Sequence, residues 1–276
     1  MKYLISPSIL SANMAKLGQE VEDVLAAGAD MIHVDVMDNH YVPNLTIGPF
    51  ICEALRKHGI KAPLDVHLMI EPVDAIIPAF AKAGATCITF HPEATPNIQK
   101  TIELIRTYHC QVGLAINPET SIDYIEPVLD QLNLILMMTV HPGFAGQKFI
   151  ADVLPKIKAV RELIDNQSRK IQLSVDGGIN TETITQAAQA GADMFVAGSA
   201  IFGQKIKIPA ASRRGIFISF IDRLRGKAAR TATKGERSPA PLENPQAKSP
   251  TRQAAGKSSH YKKMIDELRN QLKQDD

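Results

Sequence analysis

From Leu4 to Ala197 the chain alternates short β-rich runs with amphipathic stretches, and this alternation limits the possible folds more than any other feature. Strands are expected at Leu4 to Leu10, Met31 to Asp35, Leu64 to Met69, Cys87 to His91, Gln111 to Ile116, Leu134 to Val140, Gln172 to Asp176 and Met194 to Ala197. Helical spacing falls between them at 14–27, 48–57, 73–83, 98–108, 122–131, 153–167 and 181–190. A short echo marks three of the joints: Ala27-Gly28-Ala29-Asp30, Ala83-Gly84-Ala85-Thr86 and Ala190-Gly191-Ala192-Asp193 each sit where a helix ends and a strand begins. Glycine ends a helix in the left-handed conformation, and alanine lets that end approach the sheet. Strict β-α alternation implies parallel strands with right-handed crossovers, and eight units predict an α/β fold closed into a (β/α)8 TIM barrel. An open doubly wound sheet is the alternative, but no G-x-G-x-x-G turn follows the first strand.

The eighth helix does not start where the alternation requires it. After Gln204 the chain enters Lys205 to Ser259, which holds 13 of its 31 Lys and Arg but 3 of its 29 Asp and Glu. That stretch carries +10, against −8 for the remainder, so the net charge of +2 conceals two different pieces of sequence. Its latter part, with Pro239, Pro241, Pro245 and Pro250 among polar residues, is expected to be disordered. Ile216 to Leu224 is its one candidate amphipathic helix. Apolar spacing resumes at Tyr261, Met264, Ile265, Leu268 and Leu272, five positions on one helical face. The expected organisation is a single catalytic barrel formed by 1–204 and 260–276, with a basic, largely disordered insertion at 205–259 in the last βα connection.

Cys52, Cys87 and Cys110 are widely spaced with no C-x-x-C pair, which points to buried thiols in a reducing compartment. No signal-peptide pattern and no apolar run long enough for a membrane span are present, so a soluble cytoplasmic protein is expected.

Chemistry is concentrated in two strands. Side chains alternate between faces, so in Ile32 to Asp38 the residues His33, Asp35 and Met37 share one face, and Ile32, Val34 and Val36 the other. In Leu64 to Met69 the matching inward set is Asp65, His67 and Met69. Barrels place function at the C-terminal ends of their strands. There His33, Asp35, His67 and Asp176 would make an N2O2 set suited to one divalent Zn, Fe, Mn or Co ion. Met37, Met69 and Met138 would also point inward. A single methionine usually fills core, but three around such a set suggest an apolar cap that excludes water. Glycine turns follow strands six and eight, at Val140 to Gln147 and Ala197 to Phe202, with Gly177-Gly178 between them. Backbone N–H groups there are candidates to hold a phosphate.

These motifs resemble the ribulose-phosphate 3-epimerase family. The matching stretches are Ser6 to Ala12, His33 to Asp38, Asp65 to Met69, His141 to Gln147, Val175 to Ile179 and Gly198 to Phe202, within 1–204, and 260–276 is similar to the family's closing helix. The resemblance implies a TIM barrel of the ribulose-phosphate-binding type. It implies that His33, Asp35, His67 and Asp176 bind the metal and that Ser8 and His67 contact substrate. It further implies that the turns at Gly143, Phe144, Ala145 and Gly146, at Gly177-Gly178 and at Gly198-Ser199 hold substrate and phosphate. Thr139, His141 and Ala145 depart from the family's usual Ser, Asn and Gly, and the Ala145 methyl would tighten the phosphate turn.

Inverting a carbon beside a carbonyl takes two acid/base groups, one on each face, and Asp35 and Asp176 are the candidates. The expected reaction is epimerisation at C3 of D-ribulose 5-phosphate to D-xylulose 5-phosphate through an enediolate, with no NAD or ATP. A six-carbon ketose phosphate such as D-allulose 6-phosphate is the alternative substrate. Decarboxylating or condensing phosphate barrels carry D-x-K-x-x-D, whereas Val36 and Met37 separate Asp35 from Asp38 here. From another class, the basic insertion suits a polyanion or a membrane surface, but it lacks an aromatic platform, and no specific nucleic-acid partner is expected. A homo-oligomer is the expected assembly.

Overall fold

The computed structural model describes residues 3–203 and 252–273. Eight strands, β1 (Leu4–Pro7), β2 (Ile32–Met37), β3 (Leu64–Met69), β4 (Cys87–Phe90), β5 (Gln111–Ile116), β6 (Leu134–Met138), β7 (Gln172–Asp176) and β8 (Met194–Ala197), form one sheet. Every paired neighbour is parallel. The ladder runs β1-β8-β7-β6-β5-β4-β3-β2. A parallel bridge between Ser8 and His33 draws its two ends together, as does the Asp30 N–H, which donates to the Ile5 carbonyl at 3.0 Å. The result is the nearly closed barrel that the alternation predicts.

The connecting helices are α1 (Leu17–Ala26), α2 (Pro49–His58), α3 (Ile77–Lys82), α4 (Ile98–Thr107), α5 (Leu154–Asp165), α6 (Ile184–Gln189), α7 (Ser199–Phe202) and α8 (Arg252–Leu272). Local chemistry sets their ends. Asn97 caps α4 by accepting the Lys100 N–H at 3.1 Å, and the three echo glycines, Gly28, Gly84 and Gly191, take φ of 108°, 99° and 108°. The outward strand residues, Ile32, Val34 and Val36 among them, pack under the helices. Inside the barrel lie Met31, Cys87, Ala115, Leu134, Leu136, Met138, Met194 and Val196.

Some expectations change. The stretch 122–131 is not one helix but two 3-10 segments, Ile122–Tyr124 and Glu126–Gln131, because Pro127 has no N–H to continue an α-helical ladder. β1 stops at Pro7, where the Ser8 hydroxyl accepts the Leu10 N–H and starts a 3-10 turn. β6 ends at Met138 rather than Val140. β2 runs past Asp35 to Met37, in register with β3 through the pair Met37 and Met69, so His33 and Asp35 lie within the strand rather than at its end.

The closing helix α8 begins at Arg252, inside the stretch expected to be insertion. It packs on α1, α6 and α7 through Tyr261, Ile265, Leu268 and Leu272, all buried, with Met264 at the margin. Each such side chain contributes about 1.5–3 kcal/mol. Arg269 fixes its end by donating to the Gly28 carbonyl at 2.8 Å and to Asp30 at 2.7 Å. The candidate helix Ile216 to Leu224 and the proline-rich stretch lie outside the described residues. No helix among the described residues is long and apolar enough to cross a membrane.

Candidate active site

The register of β2 against β3 sets Asp35 beside His67 and His33 beside Asp65. Asp35 Oδ1 lies 3.2 Å from His33 Nε2 and 3.1 Å from His67 Nδ1. Asp176, at the end of β7, brings Oδ2 to 3.9 Å from His33 Nε2. One ligand atom from each of His33, Asp35, His67 and Asp176 lies within 4.8 Å of the others. Two imidazole nitrogens and two carboxylates that close together fit a divalent transition metal.

Burial opposes ionisation of Asp35, yet His33 and His67 beside it outweigh burial and hold its carboxyl below the usual carboxylate range. Asp176 goes the other way: burial, reinforced by the negative Asp35, lifts it to about 7. Burial also disfavours a charged His33, but Asp35 and Asp65 prevail and raise it well above an ordinary imidazole. His67 is lowered, chiefly by burial. In the metal-free protein the two carboxyl groups are therefore shifted in opposite directions.

Above this cluster opens a cavity of about 540 Å³, counting the space that merges with solvent. Of the residues singled out in the sequence, Ser8, Asp35, Met37, Met69, Met138, Gly143, Phe144, Ala145, Gly146, Asp176, Gly177, Gly178, Gly198 and Ser199 line it. His33 and His67 do not; both are fully buried, beneath it. Ser8 donates its hydroxyl proton to Asp35 Oδ2 at 2.6 Å. Met37 and Met69 pack with Val42, whereas Met138 packs with Val140 and Val196 inside the barrel, so the three methionines line one cavity without forming one cluster. The backbone passes close at the glycine pair. A Cβ on Gly178 would lie 2.5 Å from the Phe149 nitrogen, and one on Gly177 would lie 2.8 Å from that of Val140. Thr139 ties this turn down by donating its hydroxyl to the Gly177 carbonyl at 2.6 Å.

Two buried residues next to the ligand set were not singled out from the sequence. Asp65 accepts from His33 Nδ1 at 2.8 Å and from the Thr89 hydroxyl at 3.3 Å. It stands in the same inward alternation as His67, which was the available signal. His91, directly after β4, lies 2.8 Å from His67, Nε2 to Nε2. Its signal was the inward phase of Cys87, Thr89 and His91.

A nearly closed parallel barrel with two histidines and two aspartates gathered at the floor of one cavity defines a (β/α)8-barrel protein with a candidate metal centre. A solved structure of KGPDC from Streptococcus mutans shares that fold at TM-score 0.57 and 18% identity, covering 79% of this chain and 97% of that one. Residues 4–202 match the model of the ribulose-phosphate 3-epimerase family. Ribulose-phosphate 3-epimerase of Serratia marcescens is 59% identical over 203 residues, 74% of this chain and 97% of that protein. The enzyme of the same name from Escherichia coli K12 is 56% identical over 203 residues, covering 74% and 90%. The chain belongs to the ribulose-phosphate 3-epimerase family.

Proposed function

We propose that this chain interconverts D-ribulose 5-phosphate and D-xylulose 5-phosphate by inverting C3. The observation that carries the reading is the pair Asp35 and Asp176, on strands separated by β1 and β8 around the barrel and both lining the cavity. Inversion needs a base on one face of the carbon and an acid on the other, and the two carboxyl groups, carried by different strands at one cavity, are placed to supply them. In one direction Asp35 takes the C3 proton and Asp176 returns one to the opposite face; the reverse reaction exchanges the roles. The Ser8 hydroxyl holds Asp35 in place at 2.6 Å.

A divalent cation held by His33, Asp35, His67 and Asp176, with Zn, Fe, Mn or Co suited to that donor set, would supply Lewis-acid stabilisation of negative charge on the substrate oxygens. Met37, Met69 and Met138 keep the reacting face apolar and limit proton exchange with water. The turns at Gly143 to Gly146, Gly177-Gly178 and Gly198-Ser199 ring the same cavity, and their backbone N–H groups are proposed to hold the phosphate. A homo-oligomer and a cytoplasmic location belong to the same proposal.

The test is turnover of D-ribulose 5-phosphate, with D-allulose 6-phosphate alongside, before chelation, after it, and after divalent metal is restored. Metal-restored activity that favours the five-carbon sugar supports the reading. A preference for the six-carbon sugar, or full activity in the chelated protein, overturns it.

A further inference from the structure

His91 occupies a position that the reaction scheme leaves unused. Its ring is fully buried, and its Nε2 stands 2.8 Å from Nε2 of His67. Two imidazole nitrogens at that separation share one proton, so one donates and the other accepts. The opposite nitrogen of His67, Nδ1, is the one that faces Asp35 in the ligand cluster, at 3.1 Å. On the far side of His91, Nδ1 has no hydrogen-bond partner among the described residues, but Glu93 Oε2 stands 4.0 Å from it. Glu93 is held there by the hydroxyls of Tyr41, at 3.3 Å, and Thr120. The Tyr41 ring stacks on His91 with centroids 4.8 Å apart.

We propose that His91 is a positioning residue that decides which nitrogen of His67 is free to hold a cation. The inference rests on His67 being a metal ligand, as read above. Without a cation, the contacts are met when His67 Nδ1–H donates to Asp35 and His91 Nε2–H donates to His67 Nε2. A cation on His67 Nδ1 requires a lone pair there. The His67 proton must then sit on Nε2 and be accepted by His91 Nε2, and His91 must carry its own proton on Nδ1, toward Glu93. His67 gives up its Nδ1 proton to solvent and takes the Nε2 proton of His91, while His91 takes one from solvent at Nδ1. Each ring holds one proton before and after. The pair changes tautomer without a change in charge, and Glu93 is placed to favour the metal-ready arrangement.

The experiment is nitrogen-15 NMR of the histidine rings of the full chain, with and without Zn²⁺. The expected result is that His67 changes from the Nδ1–H to the Nε2–H form and His91 from the Nε2–H to the Nδ1–H form when zinc binds. A His91 that keeps its proton on Nε2 while zinc occupies His67 Nδ1 overturns the proposal. Two variants give a second measurement. In His91→Phe the acceptor is lost, and zinc affinity measured by chelator competition should fall by about 10–100-fold, with an altered visible spectrum of the Co²⁺ form. His91→Gln keeps an accepting oxygen and should restore most of the affinity and the spectrum. Unchanged affinity and spectrum in His91→Phe defeat the positioning role alone. His67→Ala binding zinc as tightly as the unaltered chain defeats the site reading underneath it. If His91→Phe does not fold, the NMR measurement still decides, because it uses the unaltered chain.

Discussion

His33 Nδ1 lies 2.8 Å from Asp65 Oδ2, two side chains facing each other across the register of β2 and β3. This contact assigns the Nδ1 proton of His33 to Asp65 and leaves Nε2 as the nitrogen turned toward Asp35 and Asp176. Both residues are fully buried, so neither finds a substitute partner in water. Asp65→Asn should therefore lower divalent-metal affinity by about 10–100-fold and also lower the melting temperature of the metal-free protein. Chelator competition and circular dichroism read the two effects. Unchanged affinity would mean that something other than Asp65 orients His33.

Asp176→Asn separates chemistry from folding. Removing one of two acid/base groups should reduce turnover by about 10²–10⁴-fold or more. Because burial and Asp35 already disfavour a charged Asp176, the neutral amide should leave the metal-free fold as stable as before, or more so. Near-normal turnover in this variant sinks the two-aspartate scheme, and the melting temperature shows whether lost activity reflects lost structure.

Period-two alternation in two neighbouring strands was enough to group His33, Asp35 and His67, since parallel pairing keeps the inward faces together. Alternation tells which face a side chain takes but not its depth. It therefore could not distinguish Asp65, which lies behind His33, from a residue at the mouth. Nor could it show that Met138 joins Val140 and Val196 rather than the other two methionines. His91 was hidden for a further reason: a lone histidine at a strand end matters only through the ring beside it, and which ring that is depends on barrel closure. The 3-10 segments at 122–131 were legible in principle, since Pro127 cannot donate to a preceding carbonyl.

The pH dependence of metal binding has a definite sign. Asp176 sits near 7 in the metal-free protein, above its unfolded value of 3.8. Its protonated form contributes stability that is fully present below the unfolded value and is lost as pH rises through about 7. Asp35 acts oppositely: its depressed pKa gives stability present above 3.8 and lost on further acidification toward the folded value. A cation needs Asp176 ionised and His33 Nε2 unprotonated, so binding releases protons. Affinity should rise about tenfold per pH unit below 7 from Asp176, with His33 steepening the slope. Calorimetric titrations in buffers of different ionisation enthalpy measure the released protons. A flat affinity profile from about pH 5.5 to 7.5 would contradict the arrangement.

Gly178→Ala probes the turn between the candidate metal centre and the phosphate side. Its φ is +66°, and the new methyl would meet the Phe149 backbone at 2.5 Å, where no flexible side chain can yield. A destabilisation of about 1–3 kcal/mol is expected from urea unfolding. Competition by inorganic phosphate should weaken in the same variant, because the turn must shift away from the cavity. Intact phosphate competition alongside lost stability would assign Gly178 to the fold alone.

The segment 204–251 is proposed to be separable from the barrel, and the last helix gives the physical reason. α8 is held by its own contacts: Tyr261, Ile265, Leu268 and Leu272 are buried, and Arg269 donates to Gly28 and Asp30. None of these lies in 204–251. The family match likewise ends at 202, before that stretch. Loop-closure cost changes by only about 0.6 kcal/mol for each doubling of length, so replacing 204–251 with a short Gly/Ser linker should leave the melting temperature, metal affinity and epimerase turnover nearly unchanged. Removing α8 as well should expose the surfaces of α1, α6 and α7 that it covers and cost several kcal/mol, on the order of the four buried side chains it contributes. Loss of polyanion binding in the linker variant with turnover intact would give the basic segment a second role. Loss of turnover in that variant, with the fold intact, would instead make the segment part of the catalytic unit.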